Sequence, residues 1–332
     1  MNMNLSIVIP IYNSSQYIQQ TLMKLQQSLA FAEIQNFEII LVDDGSTDNL
    51  TEKIKTFSSN ENTNLKYLYQ SNQGRFAARL TGAEHSLYQN VLFMDSRVHI
   101  RESSLQNLLA FKQLNESSTC CIADITFAEN QKLVGYFWDG LSRLAWHRYY
   151  ASNRSIELTA KNFNSYPKGT TLVFFDREIF LKHCYILQKK HKANKEINDD
   201  TDLILEVVRT EIVNIVRNFR AVYFPRNTTV SFLKHTYSRG KVAQDGFFRR
   251  GTKARALFLV TVMMSTLIGI YALIFNRGIV FVLTLFAYLA LLFLCLIRRL
   301  PIKTTLSLLL YSPIFVFFYL GGMLRASIDS RI

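Results

Sequence analysis

The chain has 332 residues, 49% of them hydrophobic and 13% aromatic, with 38 Lys and Arg against 25 Asp and Glu, a formal net charge of +13. That apolar content excludes a disordered or fibrous protein, and four Cys with no CxxC pair exclude a disulfide scaffold and leave buried reduced thiols as the simplest reading. The basic balance implies attraction to nucleic acid, anionic lipid or phosphorylated ligands without choosing among them.

Leu5–Ile11 is a short β-branched run, and Ser14 or Ser15 can cap a helix through about Ser28. Phe37–Val42 reads as a second buried strand, broken by Asp43-Asp44-Gly45-Ser46, with Thr47 or Asp48 capping the helix that follows. Leu65–Tyr69 is a third strand. Arg75–Leu87 has helical spacing with Phe76, Leu80, Ala83 and Leu87 on one face, and Val91–Met94 is a fourth strand ending in Asp95. Such alternation predicts an α/β fold with a mostly parallel sheet and helices on both faces. Ligands bind beyond the carboxyl ends of such strands. Polar clusters sit there: Tyr12-Asn13, Asp43-Asp44, Asn72-Gln73-Gly74-Arg75 and Asp95-Ser96-Arg97.

A carboxylate at a strand end can accept the imide N–H of uracil, an aromatic ring can stack on the base, and arginines can hold a diphosphate. A D-x-D pair would hold a divalent metal against that diphosphate. There is no GxxxxGK[ST] loop and no GxGxxG, so neither a P-loop nor a dinucleotide site is supported. Further on, Asp199-Asp200-Thr201 can cap a helix over Leu203–Arg217. The stretch Tyr136–Tyr150, with Phe137, Trp138, Trp146, His147, Arg148 and Tyr149, is either a headgroup-level surface that presents a lipid-linked acceptor or an ordinary packed helix.

Three runs without charge, 256–275, 278–297 and 304–324, are each about 20 residues, or ~30 Å as helices, the thickness of a bilayer core. They predict a membrane domain over 251–332 with about three transmembrane helices, although the third run could be re-entrant or lie flat. Arg249, Arg250, Lys253 and Arg255 precede the first run and Arg298, Arg299 and Lys303 follow the second, which places residues 1–250 in the cytoplasm of a multi-pass protein of the plasma (inner) membrane. The basic stretch Arg239–Arg255 then lies against anionic lipid. The amino-terminal MNMNLSIVIP has no charged n-region and no long apolar stretch, so no signal peptide is expected. No nucleic-acid recognition motif accompanies the charge, so nucleic acid is not an expected partner.

PIYN (Pro10–Asn13), VDDGSTD (Val42–Asp48), NQGRFAAR (Asn72–Arg79) and FMDSR (Phe93–Arg97) together resemble the signature series of family-2 glycosyltransferases with the GT-A (Rossmann-like) fold. The likeness continues through Lys168-Gly169-Thr170-Thr171 and Asp176–Phe180 to Asp199–Leu203, similar to the family's E-D-x-[DE]-L segment. The carboxy-terminal part is similar to membrane-attached bacterial exopolysaccharide members. This resemblance implies that Pro10, Tyr12, Asn13 and Asp43 line the nucleotide-sugar site, with Tyr12 near the base and Asp44 accepting its imide proton. It further implies that Arg75 and Arg79 serve nucleotide or phosphate, that Asp95 is the first carboxylate of the D-x-D, and that Asp200 is the general base of an inverting transfer. The expected donor is a nucleotide-sugar, with a UDP-sugar as the first expectation; the acceptor is a lipid-linked glycan in surface polysaccharide synthesis, beside other polysaccharide-assembly proteins. Transfer to polyprenyl phosphate itself is one alternative, and a non-catalytic scaffold that binds a nucleotide-sugar is another. The family's Q-x-x-R-W element of processive synthases is absent.

The D-x-D position departs from the pattern, because it reads Asp95-Ser96-Arg97. Three outcomes stay open. Asp95 holds Mg²⁺ or Mn²⁺ with a helper such as His235, or Arg97 neutralises the diphosphate and the metal is weakly required, or the site is impaired.

Overall fold

The computed structural model describes residues 3–58, 64–129, 131–190, 199–225, 228–247 and 277–329, so the uncharged run 256–275 lies outside the described residues. The chain divides into two compact units, residues 1–128 with 148–225 and residues 129–147 with 226–332.

The first unit is built on one sheet. Its strands, in chain order, are β1 (Leu5–Ile11), β2 (Phe37–Asp43), β3 (Leu65–Tyr69), β4 (Asn90–Met94), β5 (Val98–Ile100), β6 (Ser118–Phe127), β7 (Ile156–Leu158), β8 (Leu172–Asp176) and β9 (Ile212–Tyr223). They lie in the order β3-β2-β1-β4-β8-β6-β9-β5, with β7 also paired to β9. The helices α1 (Ser15–Phe31), α2 (Leu50–Ser58) and α3 (Arg75–Glu84) connect the first four strands, which are all parallel. Beyond β4 the sheet is mixed: β8 is antiparallel to β4 and β6, while β6 and β9 are parallel. β1 is buried along its whole length, and Ile18, Leu22, Leu25 and Leu29 of α1 cover it. A near-continuous apolar strand is what a parallel strand covered on both faces requires.

The sheet carries a topological switch point between β1 and β4. The chain runs from β1 outward to β2 and β3, then returns to pair β4 on the other side of β1. β1 pairs β4 only from Leu5↔Asn90 to Val8↔Phe93, whereas its pairing with β2 continues to Ile11↔Asp43. Pro10, which has no N–H to give, falls where β1 has already left β4. The carboxyl ends of the two strands therefore bound an open crevice.

α4 (Ser104–Leu114) precedes β6, the short α6 (His147–Tyr150) precedes β7, and α7 (Arg177–Lys190) follows β8. The helix expected over Leu203–Arg217 does not form. Asp199–Leu203 makes one π-type turn, α8 (Ile204–Val207) lasts four residues, and the chain then enters β9. Val213, Ile215, Val216, Phe219 and Ala221 are 0–2% exposed there. The β-branched run suits a strand buried on both faces, and tertiary pairing overrides the capping signal.

In the second unit, α5 (Tyr136–Ala145), α9 (Thr229–Phe247), α10 (Arg277–Ile297) and α11 (Ile302–Asp329) are the helices. Val134, Phe137, Phe232, Cys295 and Leu308 form its core, with Phe137 ring centroids 5.2 Å from Phe232 and 5.0 Å from Phe315. Phe137 and Tyr149 are 1% and 2% exposed, so of the two readings of Tyr136–Tyr150 the packed one holds at both residues: each ring is buried, in a different unit. Phe281, Phe286 and Phe293 of α10 are 65–71% exposed, which is not the pattern of a core helix. α10 and the Ile302–Arg325 part of α11 are long and apolar enough to cross a membrane. α11 runs unbroken through Pro313, so the third run is helical throughout. α9 and α11 meet backbone to backbone: a Cβ on Gly240 would stand 2.1 Å from the Tyr319 carbonyl oxygen, and one on Gly322 would stand 2.1 Å from that of Tyr237.

Candidate active site at the carboxyl ends of β1, β2 and β4

The loop after β2 is organised by its own carboxylates. Asp43 Oδ1 accepts the Ser46 amide at 2.8 Å, and its Oδ2 accepts the Tyr67 hydroxyl at 2.5 Å. Burial, and then that bond, push Tyr67 up to about 12, so the phenol stays a donor. Gly45 takes φ +79°, and a Cβ there would meet the Asn72 amide nitrogen at 2.9 Å; only glycine fits the turn without strain. Asn13, at φ 49°, donates its amide to Ser46 Oγ at 3.0 Å and accepts the Thr47 amide at 2.8 Å. The loops after β1 and β2 are thus one hydrogen-bonded piece, with Tyr12 beside it 51% exposed.

Asp44 is 3% exposed and reaches across to the next loop. Its Oδ1 accepts from Gln70 Nε2 and from the Gln73 amide, and its Oδ2 accepts the Gly74 amide, each at 2.8 Å. Gly74 precedes α3 at φ 90° with no side-chain cap of its own. Asp44 supplies what the local sequence lacks, holding the two amides that lead into the helix. A carboxylate offers about four acceptor positions, so Asp44 keeps about one for an outside donor.

α3 carries the arginines. Arg79 is 1% exposed; its Nη2 donates to Asp95 Oδ1 at 2.5 Å and to the Thr170 carbonyl at 3.0 Å. Arg75 Nη1 stands 3.9 Å from Asp95 Oδ2. Arg97 Nη2 donates to the Tyr17 hydroxyl at 3.1 Å, and its Cζ lies 4.7 Å over the same ring. Lys168, held by the Phe163 carbonyl and set 4.0 Å from that residue's ring centroid, is lowered by burial to about 8.

The sequence-expected residues Pro10, Tyr12, Asn13, Asp43, Asp44, Arg75, Arg79, Asp95 and Arg97 all fall at these adjoining strand ends. Asp200 lies by its backbone in the π-type turn before α8, and its side chain is outside the described residues. His235 belongs to the other unit, where its ring packs 5.1 Å from that of Trp138. Tyr17, Gln70 and the Thr170 carbonyl are additions that the sequence did not announce.

A divalent metal fits this donor set poorly. Asp95 is the single carboxylate of the D-x-D position, and both of its oxygens face guanidinium groups. Among the described residues no group of three or more His, Cys, Asp or Glu is arranged to hold a metal ion.

Residues 6–181, more than half of the chain, match the family described as glycosyl transferase family 2, and the chain belongs to that family. The match stops short of Asp199–Leu203. An uncharacterized glycosyltransferase of Haemophilus influenzae is 37% identical over 117 residues, 35% of this chain and 45% of its own length. The minor teichoic acid biosynthesis protein GgaA of Bacillus subtilis is 36% identical over 111 residues, 32% of this chain and 24% of its own. Glycosyltransferase GlyG of Streptococcus pneumoniae is 33% identical over 113 residues, 34% and 35%. The chain thus spans less than half the length of each of these relatives. Two solved structures share the fold. S. aureus TarS 1–349, in complex with UDP-GlcNAc, has a TM-score of 0.50 at 17% identity, covering 74% of this chain and 68% of its own. The mannosyltransferase PcManGT of Pyrobaculum calidifontis, in complex with GDP-Man and Mn²⁺, has a TM-score of 0.52 at 13% identity, covering 76% and 66%.

Proposed function

We propose that this chain is a membrane-anchored inverting glycosyltransferase that moves a sugar from a nucleotide-sugar to a hydroxyl of a lipid-linked glycan. The observation that carries the reading is the topological switch point, where Tyr12, Asp44, Asp95 and Arg97 fall at the carboxyl ends of β1, β2 and β4 and Arg75 opens α3 beside Asp95. The donor complexes of TarS and PcManGT favour a nucleoside diphosphate sugar, and the teichoic acid role of GgaA favours a surface polymer as product. The exposed apolar faces of α10 and α11 favour anchoring in a membrane, and the basic residues that flank the uncharged runs favour residues 1–250 on the cytoplasmic side of the plasma membrane.

In this reading the base stacks on Tyr12 and gives its imide proton to the acceptor position left on Asp44. The guanidinium groups hold the diphosphate in place and stabilise the charge that gathers there as the sugar leaves. The acceptor hydroxyl attacks the anomeric carbon from the opposite face, the C–O bond to the diphosphate breaks, and the hydroxyl proton passes to the Asp200 carboxylate.

A donor screen with the full chain in native membranes, supplied with lipid extract and reading released UDP or GDP, tests this. Release should need the lipid extract. Asp200→Asn should lower turnover by roughly 10²–10⁴-fold, the usual contribution of a positioned base, while donor binding stays intact. Undiminished turnover by Asp200→Asn would favour an acceptor that is already anionic, such as polyprenyl phosphate. Nucleotide binding without turnover by the unmodified chain would leave a non-catalytic scaffold.

A further inference from the structure

This inference rests on the reading that a nucleoside diphosphate sugar occupies the switch-point crevice. Its subject is the cation that meets the diphosphate. Asp95 gives Oδ1 to Arg79 at 2.5 Å and Oδ2 to Arg75 at 3.9 Å, so a divalent ion placed on it would sit against two guanidinium charges. Two positions on, where a second carboxylate would complete a metal site, stands Arg97. His235 belongs to the other unit, where its ring packs against that of Trp138.

Arg97 is held in a definite attitude. Tyr17 comes from the helix that follows β1, and Arg97 from the loop that follows β4, so the pair bridges the two strand ends that bound the crevice. The Tyr17 hydroxyl accepts one Nη2 proton at 3.1 Å, while the ring lies 4.7 Å beneath Cζ and fixes the plane of the guanidinium. Arg97 Nε is buried and has no hydrogen-bond partner among the described residues, so the Nη edge is the one that faces outward. A planar fork held at one corner keeps donors for two phosphate oxygens. Arg75, its side chain 53% exposed, brings a second guanidinium charge to the same strand ends.

We propose that guanidinium groups, Arg97 first and Arg75 second, replace the divalent ion at the diphosphate. Tyr17 is the positioning residue of Arg97, and Asp95 anchors arginines in place of a metal.

The test is equilibrium binding of UDP and GDP by the full chain in detergent, in EDTA and again with MnCl₂, with uridine as the phosphate-free probe. For the unmodified chain, EDTA should change the Kd for the preferred diphosphate by less than about threefold. Arg97→Met should raise that Kd by roughly 10- to 100-fold, the worth of a lost charge-assisted pair, and leave uridine unchanged. Tyr17→Phe keeps the ring but removes the hydroxyl; it should weaken UDP or GDP severalfold with uridine again unchanged, a split that general loosening of the fold would not give. Diphosphate binding that falls at least about tenfold in EDTA and returns with Mn²⁺ overturns the proposal, as does an Arg97→Met chain that binds like the unmodified one. If neither diphosphate binds in either condition, the functional reading itself fails.

Discussion

Arg79→Met is expected to lower the stability of the first unit by about 3–5 kcal/mol, the usual cost of removing one partner of a buried ion pair. The guanidinium is 1% exposed, and it satisfies both Asp95 and the Thr170 carbonyl. Methionine of similar length fills the space but leaves a carboxylate, 14% exposed, facing an apolar side chain. The β4 end and the segment entering β8 lose the guanidinium that joins Asp95 to the Thr170 carbonyl, and keep only the backbone bond from the Asp95 amide to the Thr171 carbonyl at 2.9 Å. Arg75→Met is the control: its side chain is 53% exposed and 3.9 Å away, and such a pair contributes at most about 1 kcal/mol. Urea unfolding of both variants, followed by near-ultraviolet circular dichroism, separates them. Equal losses would mean that the buried pair is no more valuable than the exposed one.

The second large effect belongs to the helix crossing in the other unit. Gly240→Leu should drive α9 off α11, because even the first carbon of the new side chain would lie 2.1 Å from the Tyr319 carbonyl oxygen. That neighbour is helix backbone and cannot rotate away. Overpacking of a tight core costs about 1–3 kcal/mol when side chains can shift, and this site has none to shift. Gly321→Leu is the matched comparison, since a Cβ there meets only the Tyr237 ring, at 3.8 Å. Thermal unfolding in detergent should show a large drop for Gly240→Leu and a small one for Gly321→Leu. A crossing that tolerates leucine at position 240 would mean the two helices do not pack this closely.

The first four strands were legible because each is a short β-branched run closed by a polar turn, and their parallel pairing follows from the intervening helices. Leu65–Tyr69 is matched residue for residue, and Leu5–Ile11 likewise. The helix read as Arg75–Leu87 ends at Glu84, because Leu87 turns outward, 74% exposed, and gives its amide to Glu38. The second half of the sheet was hidden, since β5 to β9 pair across long separations that no local period encodes. The strand Ile212–Tyr223 shows the cost: a capping signal pointed to a helix, and pairing with β5, β6 and β7 decided otherwise. In the site, the residue types at the strand ends were readable, but their partners were not. Nothing in positions 17 and 97 taken singly says that a phenol and a guanidinium meet 80 residues apart. The aromatic segment after Ala128 was ambiguous for a similar reason, because Phe137 is buried by helices that follow more than 80 positions later.

That last segment sets how the protein can be cut. The backbone passes between the two units three times, at 128/129, 147/148 and 225/226, so the amino-terminal part is not a bead on a string. A fragment stopped between β9 and α9 would still carry α5, and Phe137 would have lost Phe232, Leu308 and Phe315 as neighbours. Anyone wanting a crystallisable catalytic piece must therefore replace residues 129–147 by a short polar loop as well as trimming the tail.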